Sequence, residues 1–419
     1  MDFAYSEKVE QLRSRLWAFM EQHIVPRIAA YKEDVHAGIF PVSFMEDLKA
    51  LAKAEGLWNM FLPHLNEGEP GTPLSTLEYA PLAEMMGRIG WASEVFNCNA
   101  PDTGNMELLH LCGTPAQRQQ WLMPLLQGEI RSAFAMTEPD VASSDASNIT
   151  TSIQRDGGEY VINGRKWFIT NAAHPNCKIL IVMGKTDPDA DAHHQQSMIL
   201  VPRDNAGVEV VRNIDIMNHH SPEGHCEIVF RNVRVPAANL LGEEGSGFAL
   251  AQARLGPGRV HHCMRSLGGA ELALELMTAR AQERRSFGKY LHQHGVVSEW
   301  IARSRIEIEQ ARLLVLKTAW MIDNVGAKAA AKEIAMIKAL VPTVYTSVCD
   351  RAMQTFGAMG ISPDTPLADH WTWGRALRFA DGPDEVHLQS IARMELKQSQ
   401  HKLAAASAYL TPPKRPVHE

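Results

Sequence analysis

Phe134 to Ser143 (FAMTEPDVAS) and Asn163 to Asn171 (NGRKWFITN) frame the stretch where the apolar pattern of the chain changes. Between about Ser132 and Arg234, short β-rich runs are separated by turn residues: Tyr160 to Ile162, Trp167 to Ile169, Ile179 to Met183, Ser197 to Val201, Val208 to Val211 and Glu227 to Phe230. The polar stretch Asp187 to Gln196 (DPDADAHHQQ) reads as a hairpin tip. Upstream, from Glu7 to about Ile130, apolar residues recur at helical spacing, as in Val9, Leu12, Leu16 and Phe19, then Leu48, Leu51 and Leu57. Breaks fall at Gly68 to Pro73 and at Gly113 to Pro115, the latter opening a helix through Gln117 to Leu126. Helical spacing returns after Phe248, through Leu272, Ile306, Leu313, Ile334 and Ile337, to Leu410 before Pro412 and Pro413. The order helical, β, helical predicts an α+β protein with a helical domain over 1–131, a β domain over 132–243, a helical domain over 244–411 and a tail from 412.

With 419 residues, 45% hydrophobic and 21% charged, the chain is long enough to bury substantial cores without disulfide staples. A net charge of -7 with dispersed Lys and Arg lacks the basic footprint of a nucleic-acid or anionic-membrane binder. The six cysteines lie far apart with no CxxC pair, which signals neither zinc nor a disulfide framework and favours a reducing cytoplasm. The charged, amphipathic start predicts no export signal, and no apolar run is long enough for a membrane span.

Several chemistries lack their motifs. No P-loop or GxSxG elbow is present, and Gly242 to Gly247 (GEEGSG) lacks GxGxxG spacing and reads as a helix-starting loop. The pairs His193/His194, His219/His220 and His261/His262 are adjacent, whereas helical metal ligands need one-face spacing, so no metal is expected.

Together with Glu283 to Lys289 (ERRSFGK) and Gln354 to Gly360 (QTFGAMG), the two opening stretches resemble, in order and spacing, the acyl-CoA dehydrogenase family. That resemblance implies an N-terminal all-α domain, a central β-barrel-like domain and a C-terminal four-helix bundle, with FAD as cofactor. It places Phe134, Met136, Thr137 and Ser143 along the flavin ring and diphosphate. Phe168 stands where Trp is usual, and Thr170 reaches flavin N5. Arg284 and Ser286 are implied to hold the diphosphate of a neighbouring subunit's FAD, with Phe287 beside the adenosine. Gln354, Gly357 and Ala358 are implied to approach that cofactor from another subunit, so the family pattern implies a homotetramer, a dimer of dimers. Gly295 departs from the Gln common in relatives. The competing reading of Arg280, Glu283, Arg284 and Arg285 is one solvated helix face.

Acyl-CoA dehydrogenation removes an α-proton and a β-hydride, so a base must face the flavin across the substrate. Relatives place it either in a YEGT-like stretch late in the chain or on an earlier helix just before a buried Arg. Here the earlier position is Gly258, before Arg259, and the later stretch, Phe379 to His387 (FADGPDEVH), offers Asp381. Asp381 is therefore the expected base, and its burial is expected to raise its pKa. The resemblance further assigns substrate contacts to Ser143, Arg259 and Gly382, and cofactor contacts to Pro383 and Glu385.

The FADGPDEVH stretch is closest to a subfamily whose eukaryotic members carry a kinase-like domain. The leading expectation is α,β-dehydrogenation of an acyl-CoA to a trans-2-enoyl-CoA, with hydride to flavin N5 and an electron-transferring flavoprotein as acceptor. The alternatives are flavin-dependent elimination on a 4-hydroxy- or 4-phosphoacyl-CoA, another oxidase of the fold, or a binding module without chemistry. Asn97, Asn99, Asp102 and Asn105 make the stretch Phe96 to Asn105, a helix beside the acyl pocket in the family, unusually polar. An oxygen-bearing tail would suit such a wall.

Overall fold

The computed structural model describes residues 4–399 and 408–410. The tail expected from 412 lies outside the described residues. The first layer is helical: α1 (Glu7–Phe19), α2 (Ile28–His36), α3 (Met45–Ala54), α4 (Thr76–Met86), α5 (Ala92–Val95), α6 (Asp102–Cys112), α7 (Pro115–Gln117) and α8 (Met123–Leu126). Ser75 and Thr114 start α4 and α7 as capping boxes with Glu78 and Gln117, each satisfying two otherwise orphaned backbone donors. The polar stretch expected to be one helix is irregular over 96–101, between α5 and α6, and helical only from Asp102, where α6 opens.

The central layer is an eight-stranded mixed sheet of β1 (Arg131–Ala135), β2 (Ser152–Asp156), β3 (Glu159–Thr170), β4 (Cys177–Lys185), β5 (Gln196–Pro202), β6 (Val208–Asn213), β7 (His225–Pro236) and β8 (Leu240–Leu241). Its order is β6-β7-β3-β2-β4-β5-β8, with β1 parallel to β4. The polar loop joining β4 and β5 is the expected hairpin tip. Two strands had no clear signature: β1 is short and parallel, and β2 (SIQRD) is largely polar. Alternation along β4 divides the core, because Ile179, Ile181 and Met183 face the helical layers while Leu180 and Val182 face the second core of the sheet.

The third layer holds α9 (Gly247–Glu283), α10 (Gly295–Val325), α11 (Ala331–Phe356), α12 (Leu367–Leu377) and α13 (Asp384–Ser399). GEEGSG is the loop before α9. At the far end α9 stops at Glu283, so Arg284 and Arg285 do not continue a solvated helix face. The chain instead forms a minute hairpin, β9 (Arg285–Ser286) with β10 (Lys289–Tyr290), turned by Phe287 and Gly288 at φ 47° and 79°. Two positive φ values in a two-residue loop match the strand twist. None of the described helices is long and apolar enough to cross a membrane.

Candidate active site

FAMTEPDVAS and NGRKWFITN are two halves of one unit. The Trp167 N–H donates to the Thr137 carbonyl at 3.0 Å, and the Thr137 hydroxyl donates to the Trp167 carbonyl at 2.6 Å. Lys166, fully buried, donates to the Met136 carbonyl at 2.7 Å and to Glu138 at 2.8 Å. Glu138 also accepts from Thr150 and Thr151, and these partners outweigh burial and hold its carboxyl down at about 2. Ser143 accepts from the Glu138 N–H at 2.8 Å and so shapes the same loop.

Strand β3 does not keep simple alternation. Its pairing with β7 slips between Lys166 and Ile169, and Phe168 sits in the slip at φ 51°, 45% exposed. A bulge with a bulky residue in the left-handed region is costly and re-aims a side chain, here into the cleft. Thr170, beyond it, shares a 3.0 Å hydrogen bond with Nδ1 of buried His225.

These residues line a cleft of about 2470 Å³ whose walls come from all three layers. Phe134, Met136, Thr137, Ser143, Phe168, Thr170, Arg259, Asp381, Gly382 and Pro383 all face it. Glu385 is exposed outside it, as are Arg284, Phe287, Gln354, Gly357 and Ala358, while half-buried Ser286 also lies outside. The latter motifs share one end of the bundle, where Arg280 of α9 lies over the Phe356 ring at 5.3 Å. Phe287 there is 97% exposed. Gly357 ends α11 at φ 70° with open space where a Cβ would stand, so its backbone conformation requires glycine.

Asp381 lies between α12 and α13 at φ 56°, its Oδ2 3.5 Å from Nε2 of His262. Arg259 Nε donates to the Asp381 carbonyl at 2.8 Å, and fully buried Lys338 donates to the Leu377 carbonyl and faces that of Gly382 at 3.4 Å. Two cations thus hold the backbone of the loop from below. Gly382 is at φ 108°, with His387 Nε2 2.9 Å from where a Cβ would sit, so a side chain there would be both strained and blocked. A Cβ on Gly258 would stand 3.5 Å from Asp381 Oδ2. The two places where the resemblance puts a base therefore converge on one spot.

The expectation that burial raises the Asp381 pKa is corrected by its surroundings. Burial does push it up, but His262, Arg254, Arg259 and Lys338 outweigh that and hold the carboxyl below the usual aspartate range. Of these four, sequence reading assigns a role in the site only to Arg259, while His262 reads as half of an adjacent His pair. Arg254 is buried, donates to Asn105 Oδ1 at 2.8 Å and to the Pro101 carbonyl at 3.3 Å, and lies over the Phe134 ring at 4.2 Å. Its burial comes from the packing of α9 against α6 and had no local signal in the sequence.

The polar stretch divides by role. Asn97 donates to Asn59 and the Leu125 carbonyl, and Asp102 accepts from the Ser132 N–H and hydroxyl and pairs with Arg131 at 2.6 Å. Asn105 bridges Ser132 and Arg254. Asn99 faces the cleft, its buried Oδ1 without a hydrogen-bond partner among the described residues. Most of this polarity is structural wiring rather than pocket wall.

The cleft fits FAD: Met136, Trp167 and exposed Phe168 offer apolar surface to a planar ring, with Thr137, Ser143 and Thr170 hydroxyls at its rim. Comparison with known proteins agrees. Residues 6–129, 133–233 and 245–396 match the N-terminal, middle and C-terminal domain models of the acyl-CoA dehydrogenases. The chain is 58% identical over 97% of its length to all of the Mycobacterium tuberculosis protein named "Probable acyl-CoA dehydrogenase FadE2". It is 49% identical over 96% of its length to human acyl-CoA dehydrogenase family member 11, of which it spans 52%. Among solved structures, one from Mycobacterium abscessus assigned to the acyl-CoA dehydrogenases superposes with a TM-score of 0.91 at 47% identity, covering 94% of this chain and 100% of that one. Butyryl-CoA dehydrogenase from Megasphaera elsdenii gives 0.80 at 28%, with coverage of 94% and 100%. The FAD complex of PigA gives 0.80 at 25%, with coverage of 94% and 99%. The chain belongs to the acyl-CoA dehydrogenase family, FAD-dependent oxidoreductases acting on the CH–CH group of their donors.

Proposed function

We propose that this protein dehydrogenates an acyl-CoA thioester to a trans-2-enoyl-CoA, with Asp381 taking the α-proton. The observation that carries this reading is a carboxylate, its pKa lowered by surrounding cations, that lines a cleft fitting a flavin. Bound FAD supplies the two-electron acceptor for the hydride leaving Cβ. Phe134 and Met136 form an apolar wall of the same cleft, along the flavin. Arg259 and Lys338 fix the loop so that the shorter Asp side chain still reaches Cα. Adding a panel of acyl-CoAs anaerobically should bleach the flavin and yield the enoyl product. Binding without bleaching by any member would reject the reading.

One observation favours a second reading. Arg254 lines the cleft and forms no ion pair among the described residues, so an oxygenated or anionic tail substituent would find a cation there. That suits elimination on a 4-hydroxy- or 4-phosphoacyl-CoA, the alternative set out above. Product analysis on these compounds separates the two. Equal or better turnover of plain acyl-CoAs would remove the second.

The same proposal includes a homotetramer with FAD shared between subunits and an electron-transferring flavoprotein as acceptor. Support comes from Arg284, Gln354, Gly357 and Ala358, which stand exposed at one bundle end outside the cleft, beside the 97% exposed Phe287. Arg284→Ala should lower FAD retention about tenfold or more, consistent with losing charge-assisted phosphate bonds of roughly 1.5–3 kcal/mol. Flavin absorbance after gel filtration checks this. Unchanged flavin affinity and assembly would remove the cross-subunit role.

A further inference from the structure

The base named above has a neighbour whose protonation pattern the structure fixes. His262 lies on α9 and lines the cleft, with 12% of its side chain exposed. Its Nδ1 is 3.3 Å from Nη2 of Arg265, and a guanidinium can only donate. Nδ1 is therefore the acceptor, and Nε2 of the neutral ring carries the hydrogen. Nε2 lies 3.5 Å from Asp381 Oδ2, a contact that a small shift on substrate binding would close to a hydrogen bond. Arg265 is itself anchored: its Nη1 donates to the Cys98 carbonyl at 3.2 Å, and its backbone lies against Gly87, where a Cβ would meet the Arg265 carbonyl at once. The adjacent His261 serves another purpose, packed edge-on against Phe61 and Tyr79.

We propose that His262 is a positioning residue for Asp381: locked by Arg265 as the Nε2–H tautomer, it holds Oδ2 and leaves the other carboxylate oxygen for the α-proton. The inference rests on Asp381 being the base. His262 cannot relay the proton onward, because Nε2 is already protonated and Nδ1 is occupied by Arg265. Burial pushes its pKa down to about 3, Asp381 opposes that, and Arg265, Lys338 and Arg254 reinforce it, so the ring is neutral at working pH. His262 is the foremost of the groups that lower the Asp381 pKa, ahead of Arg254 and Arg259 from α9 and Lys338 from α11. His387 of α13 faces the backbone of Asp381 and Gly382 rather than the carboxylate. The geometry sets Nε2 of the ring 3.5 Å from Asp381 Oδ2 and its Nδ1 beside Arg265.

Two polar replacements separate this role from mere packing. In His262→Gln the amide nitrogen reaches the place of Nε2, whereas in His262→Asn it reaches only that of Nδ1. Flavin reduction is followed by anaerobic stopped flow against pH on the FAD-loaded enzyme, with acyl-CoA affinity from bleaching amplitudes. His262→Gln should stay within about threefold of wild type, while His262→Asn should lose about 10- to 100-fold in rate, the usual cost of removing the group that orients a reacting one. Its acid limb should also move to higher pH, with acyl-CoA affinity changed less than about threefold. Equal rates for the two variants, or an unmoved acid limb in His262→Asn, would overturn the proposal. Failure of Asp381→Asn to lose activity would instead overturn the base assignment, so the two failures are distinguishable.

Discussion

Asp381→Asn should fold, retain FAD and bind acyl-CoA, yet reduce the flavin roughly 10²- to 10⁴-fold more slowly, the range a positioned general base contributes. The amide is nearly isosteric but cannot accept the α-proton. Sign and size both follow from the site. Because the surrounding cations hold the carboxyl below its ordinary value, it is ionised from mildly acidic pH upward, and the rate should fall only as pH drops through that lowered pKa. Asp381→Glu should keep partial activity: the loop is tied through the Asp381 carbonyl to Arg259, so a longer side chain must fold back within a fixed backbone. Stopped-flow bleaching with saturating acyl-CoA measures both variants. If Asp381→Asn bleached at near wild-type rate, the base would lie elsewhere, and the neighbouring acids are poor substitutes. Asp384 is buried against Arg378 at 2.6 Å, and Glu385 is exposed outside the cleft.

The largest loss of stability is expected from Arg131→Met. Arg131 is buried at the start of β1 and pairs with Asp102 at 2.6 Å and Glu94 at 2.5 Å. Its charge, with that of Lys49 and the His174 ring, holds the Glu94 carboxyl far below its usual range against the pull of burial. Methionine would fill the volume but leave two buried carboxylates facing each other, at a cost of about 3–5 kcal/mol. Asp102 also accepts from Ser132 and Asn171, so the loss would loosen the seam between helical layer and sheet. Denaturant unfolding of the FAD-loaded protein checks this. A change under about 1 kcal/mol would show that the carboxylates find other partners or protonate.

Local patterns made much of this protein readable. The 3.6-residue and two-residue periodicities placed the helical, β and helical layers, and polar turn residues marked the β4–β5 hairpin. Motif order identified the family, and FADGPDEVH pointed to Asp381. The structure shows why FAMTEPDVAS and NGRKWFITN occur together: Glu138 and Lys166, one from each, are buried partners. Other features had no local signature. Phe168 reads as one more strand residue, and only pairing with β7 shows the bulge that turns it outward. Asn97, Asp102 and Asn105 read as a polar pocket wall, but their partners on the sheet and in neighbouring helices make most of them structural.

The sequence by itself therefore determined the layers, the family and the carboxylate proposed as base, because periodicity and motif spacing are recorded between neighbours in the chain. Only the tertiary structure brought together the charges that lower the pKa of that carboxylate, the His262–Arg265 contact and the two-cation support of the loop. Arg259 and Asp381, 122 residues apart, meet through a backbone carbonyl, a contact that imposes no residue type at position 381. Electrostatic shifts depend on distances of a few ångströms between groups from α9, α11 and the α12–α13 loop, and those distances are set by how the helices pack.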